Sequence, residues 1–168
     1  MINIESYIIK DKKIKIADID NIDKDLFVNV KDYKLLNAKN LDYDYLEGSI
    51  VVNYNGQEYL ELKDWDLIEQ LWGYFVIAIK DLKQKDTVAF QFPDCPFAIS
   101  IEKKRHNRLI VLFHDKRMNI DLAEFVFGIL NAAESFYENL KQLFVAREWE
   151  INEEIENIQN IKNLWSVK

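Results

Sequence analysis

The chain has 168 residues, 49% of them hydrophobic, with 10 Phe, 8 Tyr and 4 Trp but only 4 Gly and 2 Pro. That composition supplies a full core and excludes disorder along the whole chain, and the scarcity of linker residues argues for one domain over 1–168. The formal charge of −7 is uneven: residues 1–70 hold 15 acids and 9 bases, residues 71–118 hold 5 and 9, and residues 119–168 hold 9 and 4.

A single cysteine, Cys95, offers no internal disulfide, and Met1-Ile-Asn-Ile-Glu-Ser lacks the basic and apolar segments of a secretory signal. The longest apolar run, Tyr74–Ile79, is far short of a membrane span. These features predict a reduced, cytoplasmic setting with no membrane partner.

In chain order, Ser6–Lys10 and Ile14–Ala17 read as short strands around a turn at Lys10–Lys13, and Phe27–Val30 as one more. Ser49–Tyr54, Asn55-Gly56 and Gln57–Leu62 form a two-residue hairpin, because Asn and Gly tolerate the positive φ of a type I′ turn. A regular ladder from that turn pairs Val51 with Leu60 and Val52 with Tyr59. Asp64 is expected to cap a helix reaching about Gln84, with Ile68, Leu71, Trp72, Phe75, Ile79 and Leu82 on one stripe. Gly73, inside it, is expected where another element packs closely.

Three strands follow, at Thr87–Phe92, Phe97–Glu102 and Arg108–His114, joined by Pro93-Asp94-Cys95-Pro96 and by the polar turn Lys103–Asn107. The last is apolar on both faces and reads as central. A long helix starts near Asp121, with Leu122, Phe125, Val126, Ile129, Ala133, Phe136, Leu140 and Phe144 on its apolar face. A narrower one, Asn152–Leu164, repeats Ile at 155, 158 and 161. The expected class is α+β: an antiparallel sheet of hairpins and a three-strand meander, covered by two main helices plus a C-terminal helix.

Chemistry-bearing patterns are few. Cys95, His106 and His114 lack the close pairs of a zinc site, and Cys95 and His106 belong at opposite ends of one strand, roughly 30 Å apart at ~3.3 Å per residue. No metal or cofactor is expected, and no catalytic residue is assigned, since neither a nucleophile elbow nor a phosphate-binding glycine loop is present. Lys103-Lys104-Arg105-His106-Asn107-Arg108 is basic, but one hairpin tip in an acidic chain is a small footprint for nucleic acid, and none is expected as a partner.

Acids are denser around the first hairpin. Asp42, Asp44 and Glu47 precede it, and Glu58, Glu61, Asp64 and Asp66 follow its turn, without the obligatory glycine of a calcium loop. Tyr43, Tyr45, Tyr54, Tyr59 and Trp65 are interleaved with them. A solvated acidic face explains this pattern. So does a contact surface for a basic protein, for which charge needs no strict geometry and aromatics supply hot spots. The candidate partner-binding residues are Asp42, Asp44, Glu47, Glu58, Tyr59, Glu61, Asp64 and Trp65.

The Leu71-Trp72-Gly73-Tyr74 helix, the Phe90-Gln-Phe-Pro-Asp-Cys-Pro96 strand and turn, the basic hairpin and the long Phe-rich helix lie within residues 71–140. This segment resembles the immunity proteins encoded beside bacterial polymorphic toxins. The resemblance implies a non-catalytic cytoplasmic antitoxin that occludes a cognate toxin by direct binding, the toxin being basic. Two alternatives stand beside it: a small cytosolic enzyme with a carboxylate- or His-based site, and a structural module that forms a homodimer through its C-terminal helix.

Overall fold

The structure is a computed structural model that describes residues 1–167. Strands β1 (Asn3–Ile9), β2 (Phe27–Asn29), β3 (Glu47–Tyr54) and β4 (Gln57–Leu60) form one sheet in the order β2-β1-β3-β4, and β5 (Asp66–Leu67) also pairs with β3. Helix α1 (Ile68–Leu82) leads to a second sheet, β6 (Thr87–Gln91), β7 (Ala98–Lys104), β8 (Arg108–Phe113) and β9 (Lys116–Asp121), in sequential order. Helices α2 (Leu122–Leu143) and α3 (Glu148–Ser166) complete the fold. The class is the expected α+β. In place of a single sheet, however, there are two antiparallel ones, with α1 packed on β3 and β6 and α2 packed on β1, β8 and β9.

The core follows from the alternation of each strand. On β1 and β3, Ile8, Ile50 and Val52 turn inward and are buried. Ser6 is buried with them because its Oγ accepts the Trp72 indole N–H at 3.0 Å, which satisfies both groups and pins β1 to α1. Trp72 also lies against Phe75 and Phe136, with ring centroids 5.8 and 6.2 Å away.

The hairpin turn forms as expected, with φ of 51° at Asn55 and 78° at Gly56. Its ladder does not stay regular. Tyr54 pairs with Gln57 and Asn53 with Glu58, but Val52 then pairs with Leu60 instead of Tyr59. Tyr59 is the extra residue of a bulge, and a bulge lets two consecutive residues turn to the same side. Tyr59 and Leu60 are accordingly both buried, and Tyr59 packs on Phe113 of the second sheet at 5.7 Å.

Other boundaries also differ from expectation. Asp64 accepts the Glu61 N–H at 2.8 Å, so it closes a turn, and α1 begins later, at Ile68. The buried Asp66 carboxylate takes the N–H groups of Leu67, Asp94 and Cys95 at 2.7 to 3.2 Å, tying the Pro93–Pro96 turn to the start of α1. Gly73 is not a close-packing position, since an added Cβ would meet nothing within 4 Å. Gly128 of α2 is one, because a Cβ there would lie 2.7 Å from Ile2 Cγ2. Ile14–Ala17 forms no strand.

The meander gains a fourth strand. His114 and Asp115 turn the chain, with His114 at φ 57°, and β9 pairs with β8 from Phe113↔Lys116 to Arg108↔Asp121. Helix α2 starts beside Asp121 as expected, and the Asp121 carboxylate caps it by accepting the Glu124 N–H at 3.0 Å. Helix α3 starts earlier than expected, at Glu148, and buries Ile151, Ile155, Ile158 and Ile161. Its end is held by Trp165, whose indole donates to the Ile79 carbonyl at 3.2 Å beneath the Lys83 ammonium.

Candidate functional site

The outward face of the first sheet carries the odd-numbered residues of β1 and β3. The pairing Glu5↔Val51 and Asn3↔Asn53 sets these side by side, and the hairpin adds Glu58 opposite Asn53. Two walls rise over this floor, the loop Ile19–Asn21 with Ile22 and Lys24, and the segment Glu61–Lys63. The result is a groove of about 580 Å³. Four carboxylates (Glu5, Asp20, Glu58, Glu61) and two ammonium groups (Lys24, Lys63) line it.

The carboxylates differ in what holds them. Glu61 is bonded to Lys116 of β9 and lies 3.3 Å from Lys63. The hydrogen bond from Lys116 keeps its carboxyl below the usual glutamate range. Glu5 accepts only neutral donors, the Tyr7 hydroxyl at 3.2 Å and the Asn29 amide at 3.4 Å. Burial, followed by the charge of Glu5, pushes the Tyr7 hydroxyl up, so it stays a donor. Among the described residues, neither Glu5 nor Glu58 forms an ion pair.

The residues proposed from sequence are brought to separate places. Glu58 and Glu61 line the groove. Asp42 caps the turn at Asp44, and Asp44 pairs with Arg147 at 2.9 Å near the start of α3. Glu47 sits at the opposite end of β3 from the hairpin, a strand of 8 residues, beside Leu41 and Tyr45. Tyr59 belongs to the core, only 7% exposed, and presents no contact surface. Asp64 and Trp65 line a second hollow of about 380 Å³ with Cys95, Phe97 and His114, which adjoins the groove at Ile19 and Lys63.

That hollow brings Cys95 and His114 to one place, which strand spacing alone did not show. Burial pushes the Cys95 thiol up, so it is held in its protonated, poorly nucleophilic form. Among the described residues no three His, Cys, Asp or Glu side chains group as a metal site. Glu5, Tyr7, Asp20 and Lys24 were missed by sequence reasoning. The alternation along β1 put Glu5 and Tyr7 on one face, but only the pairing of β1 with β3 shows that this face continues into Asn53 and Glu58.

A third cluster lies where α1, α2 and α3 meet. Glu69 accepts from Tyr137 at 3.3 Å, and burial raises the carboxyls of Glu69 and Glu154 and the hydroxyl of Tyr137. Burial also raises Tyr43, whose ring faces the Arg147 guanidinium at 5.0 Å. These groups knit the helices together and line none of the hollows described above.

Compared with known proteins, the chain matches no family model, no curated protein and no solved structure. Among the described residues no helix is long and apolar enough to cross a membrane.

Proposed function

We propose that the protein is a non-catalytic binding protein that receives a basic partner protein in the acidic groove of the first sheet, acting in the cytoplasm as the immunity partner of a bacterial toxin. The observation that carries this reading is the pair of unneutralised carboxylates, Glu5 and Glu58, standing on the outward face of the first sheet with the buried Val51 and the half-buried Asn53 between them. A cation brought to that face gains attraction without first breaking an ion pair at either residue, and clustered like charges speed the encounter with an oppositely charged surface. The resemblance of residues 71–140 to immunity proteins supports the same reading.

The test is capture of the protein encoded beside this one from native lysate, at low and at moderate salt, with the wild type and with the double variant Glu5→Lys, Glu58→Lys. The expected result is a 1:1 complex that weakens with salt, since surface charges are screened over ~8 Å at physiological ionic strength, and that the double variant loses. A complex indifferent to both changes would move the contact surface elsewhere, and absence of any complex would remove the immunity reading.

A further inference from the structure

Strand β1 is paired unequally on its two sides. β3 runs beside it from Asn3 to Ile8, whereas β2 pairs only with Tyr7, Ile8 and Ile9, because after Asn29 the chain turns away into a 3-10 turn at Val30–Leu35. The segment Asn3–Glu5 therefore has a strand neighbour on one side only. The direction of its polar groups follows from the ladder. Lys10 donates to Leu26 across the β2 side at 3.0 Å, so the even-numbered residues of β1 aim their N–H and C=O that way and the odd-numbered ones aim at β3. Ile2 obeys the same parity: its N–H leaves the sheet and is taken by the Glu124 carboxylate at 2.8 Å. Ile4 falls between these two points, and its N–H and C=O open onto the side that β2 has left.

That side is a groove of about 430 Å³, not a flat edge. Phe127, Asn131, Ala132 and Ser135 of α2 form one wall, and Asn29 and Lys31 stand at the end where β2 departs. Glu5 belongs both to this groove and to the acidic one on the outer face, so the two meet at its side chain. An added strand satisfies main-chain groups and places alternate side chains on opposite faces. Opposite Ile4, its side chain would turn toward α2, onto Phe127 and Ala132. Opposite Glu5, it would turn outward, to a carboxylate that has only neutral donors.

We propose that the free edge of β1 at Asn3–Glu5 is a strand-addition site, filled by an extended segment of the basic partner with an apolar residue opposite Ile4 and a lysine or arginine opposite Glu5. The assignment rests on the reading of the outer groove as the partner's contact surface and adds to it a second, main-chain mode of recognition.

The probe is a capped synthetic peptide alternating lysine and valine, titrated into the whole isotope-labelled protein and followed by amide exchange and chemical shifts. On binding, exchange at the Ile4 amide is expected to slow at least about tenfold, as a newly bonded edge amide should. Methylating the backbone nitrogen of the central valine should weaken binding about tenfold, because it removes a main-chain hydrogen bond and leaves its partner unmet. Glu5→Lys should weaken the unmodified peptide as well. Unchanged exchange at Ile4 under saturating peptide overturns strand addition. If the shifts then gather at Val51, Asn53 and Glu58, the outer groove survives as a contact surface without it. A peptide that binds at neither place also overturns it, while capture of the whole partner still decides the broader reading separately.

Discussion

The two sheets are built in opposite ways. The second is a meander whose strands pair in the order of synthesis across short turns, and its region, residues 71–118, is the basic part of the chain. The first takes its strands from a stretch with an excess of acids, joins β1 to β2 through the long loop Lys10–Leu26, and leaves a groove over its outward face and part of the β1 edge without a strand neighbour. The meander pairs its strands locally and leaves its open edges to β6 and β9, with Lys104, Arg105 and His106 exposed at the β7–β8 turn. A sheet assembled from distant segments ends irregularly, and such ends are where unpaired backbone and unneutralised charge collect.

The comparison can be broken at its joints. The largest effect should come from Trp72→Ala, which removes a fully buried indole and strands the Ser6 hydroxyl. A loss of about 3–5 kcal/mol in urea unfolding is expected, and native-state amide exchange should quicken in β1 and β3 before β7 and β8. Equal quickening in both sheets would mean that they are one cooperative unit. Next comes Asp66→Ala, which leaves the N–H groups of Leu67, Asp94 and Cys95 unmet at the junction between the sheets. About 2–3 kcal/mol should be lost, and Asp66→Asn, which keeps one acceptor oxygen, should recover part of it.

The smallest effect sharpens the contrast of charge. Lys116→Ala cuts the bond from the basic sheet to Glu61 of the acidic one, and about 0.5 kcal/mol is expected at neutral pH. Because Lys116 holds the Glu61 carboxyl below its ordinary range, that contribution is present above the ordinary glutamate pKa and is lost as pH falls through the lowered one. Wild type and variant should therefore converge in acid. Lys116 also donates to the Glu58 carbonyl at 3.0 Å, so a difference that persists there would measure that bond or packing of the lysine stem and not the pairing with Glu61.

What could be read from the residues was mostly local. The Asn55-Gly56 turn, the start of α2 beside Asp121 and the isoleucine stripe of α3 each depend on neighbours within a few positions, and each formed. Strand β9 has clean alternation, with Met118 and Ile120 buried and Arg117 and Asn119 exposed. It was hidden because its turn uses His114 at positive φ where a glycine would have signalled it. The bulge at Tyr59 was invisible for a different reason. Only the presence of Phe113 in the other sheet makes it favourable to bury two consecutive residues there. The same distinction governs the groove: Glu58 and Glu61 adjoin a legible turn, whereas Glu5 reaches them through a pairing between strands far apart in the chain.

The close approach of Gly128 to Ile2 ties the start of the chain to a helix made late in synthesis. Strands β1, β3 and β4 emerge early from the ribosome and can pair at once, but Ile2 and Ile4 gain their apolar cover only when α2 has followed. During that interval the nascent sheet shows an open edge and a bare greasy face together, the combination that invites misassembly. The acids crowded into the same early stretch repel one nascent copy from the next and so guard the unfinished chain.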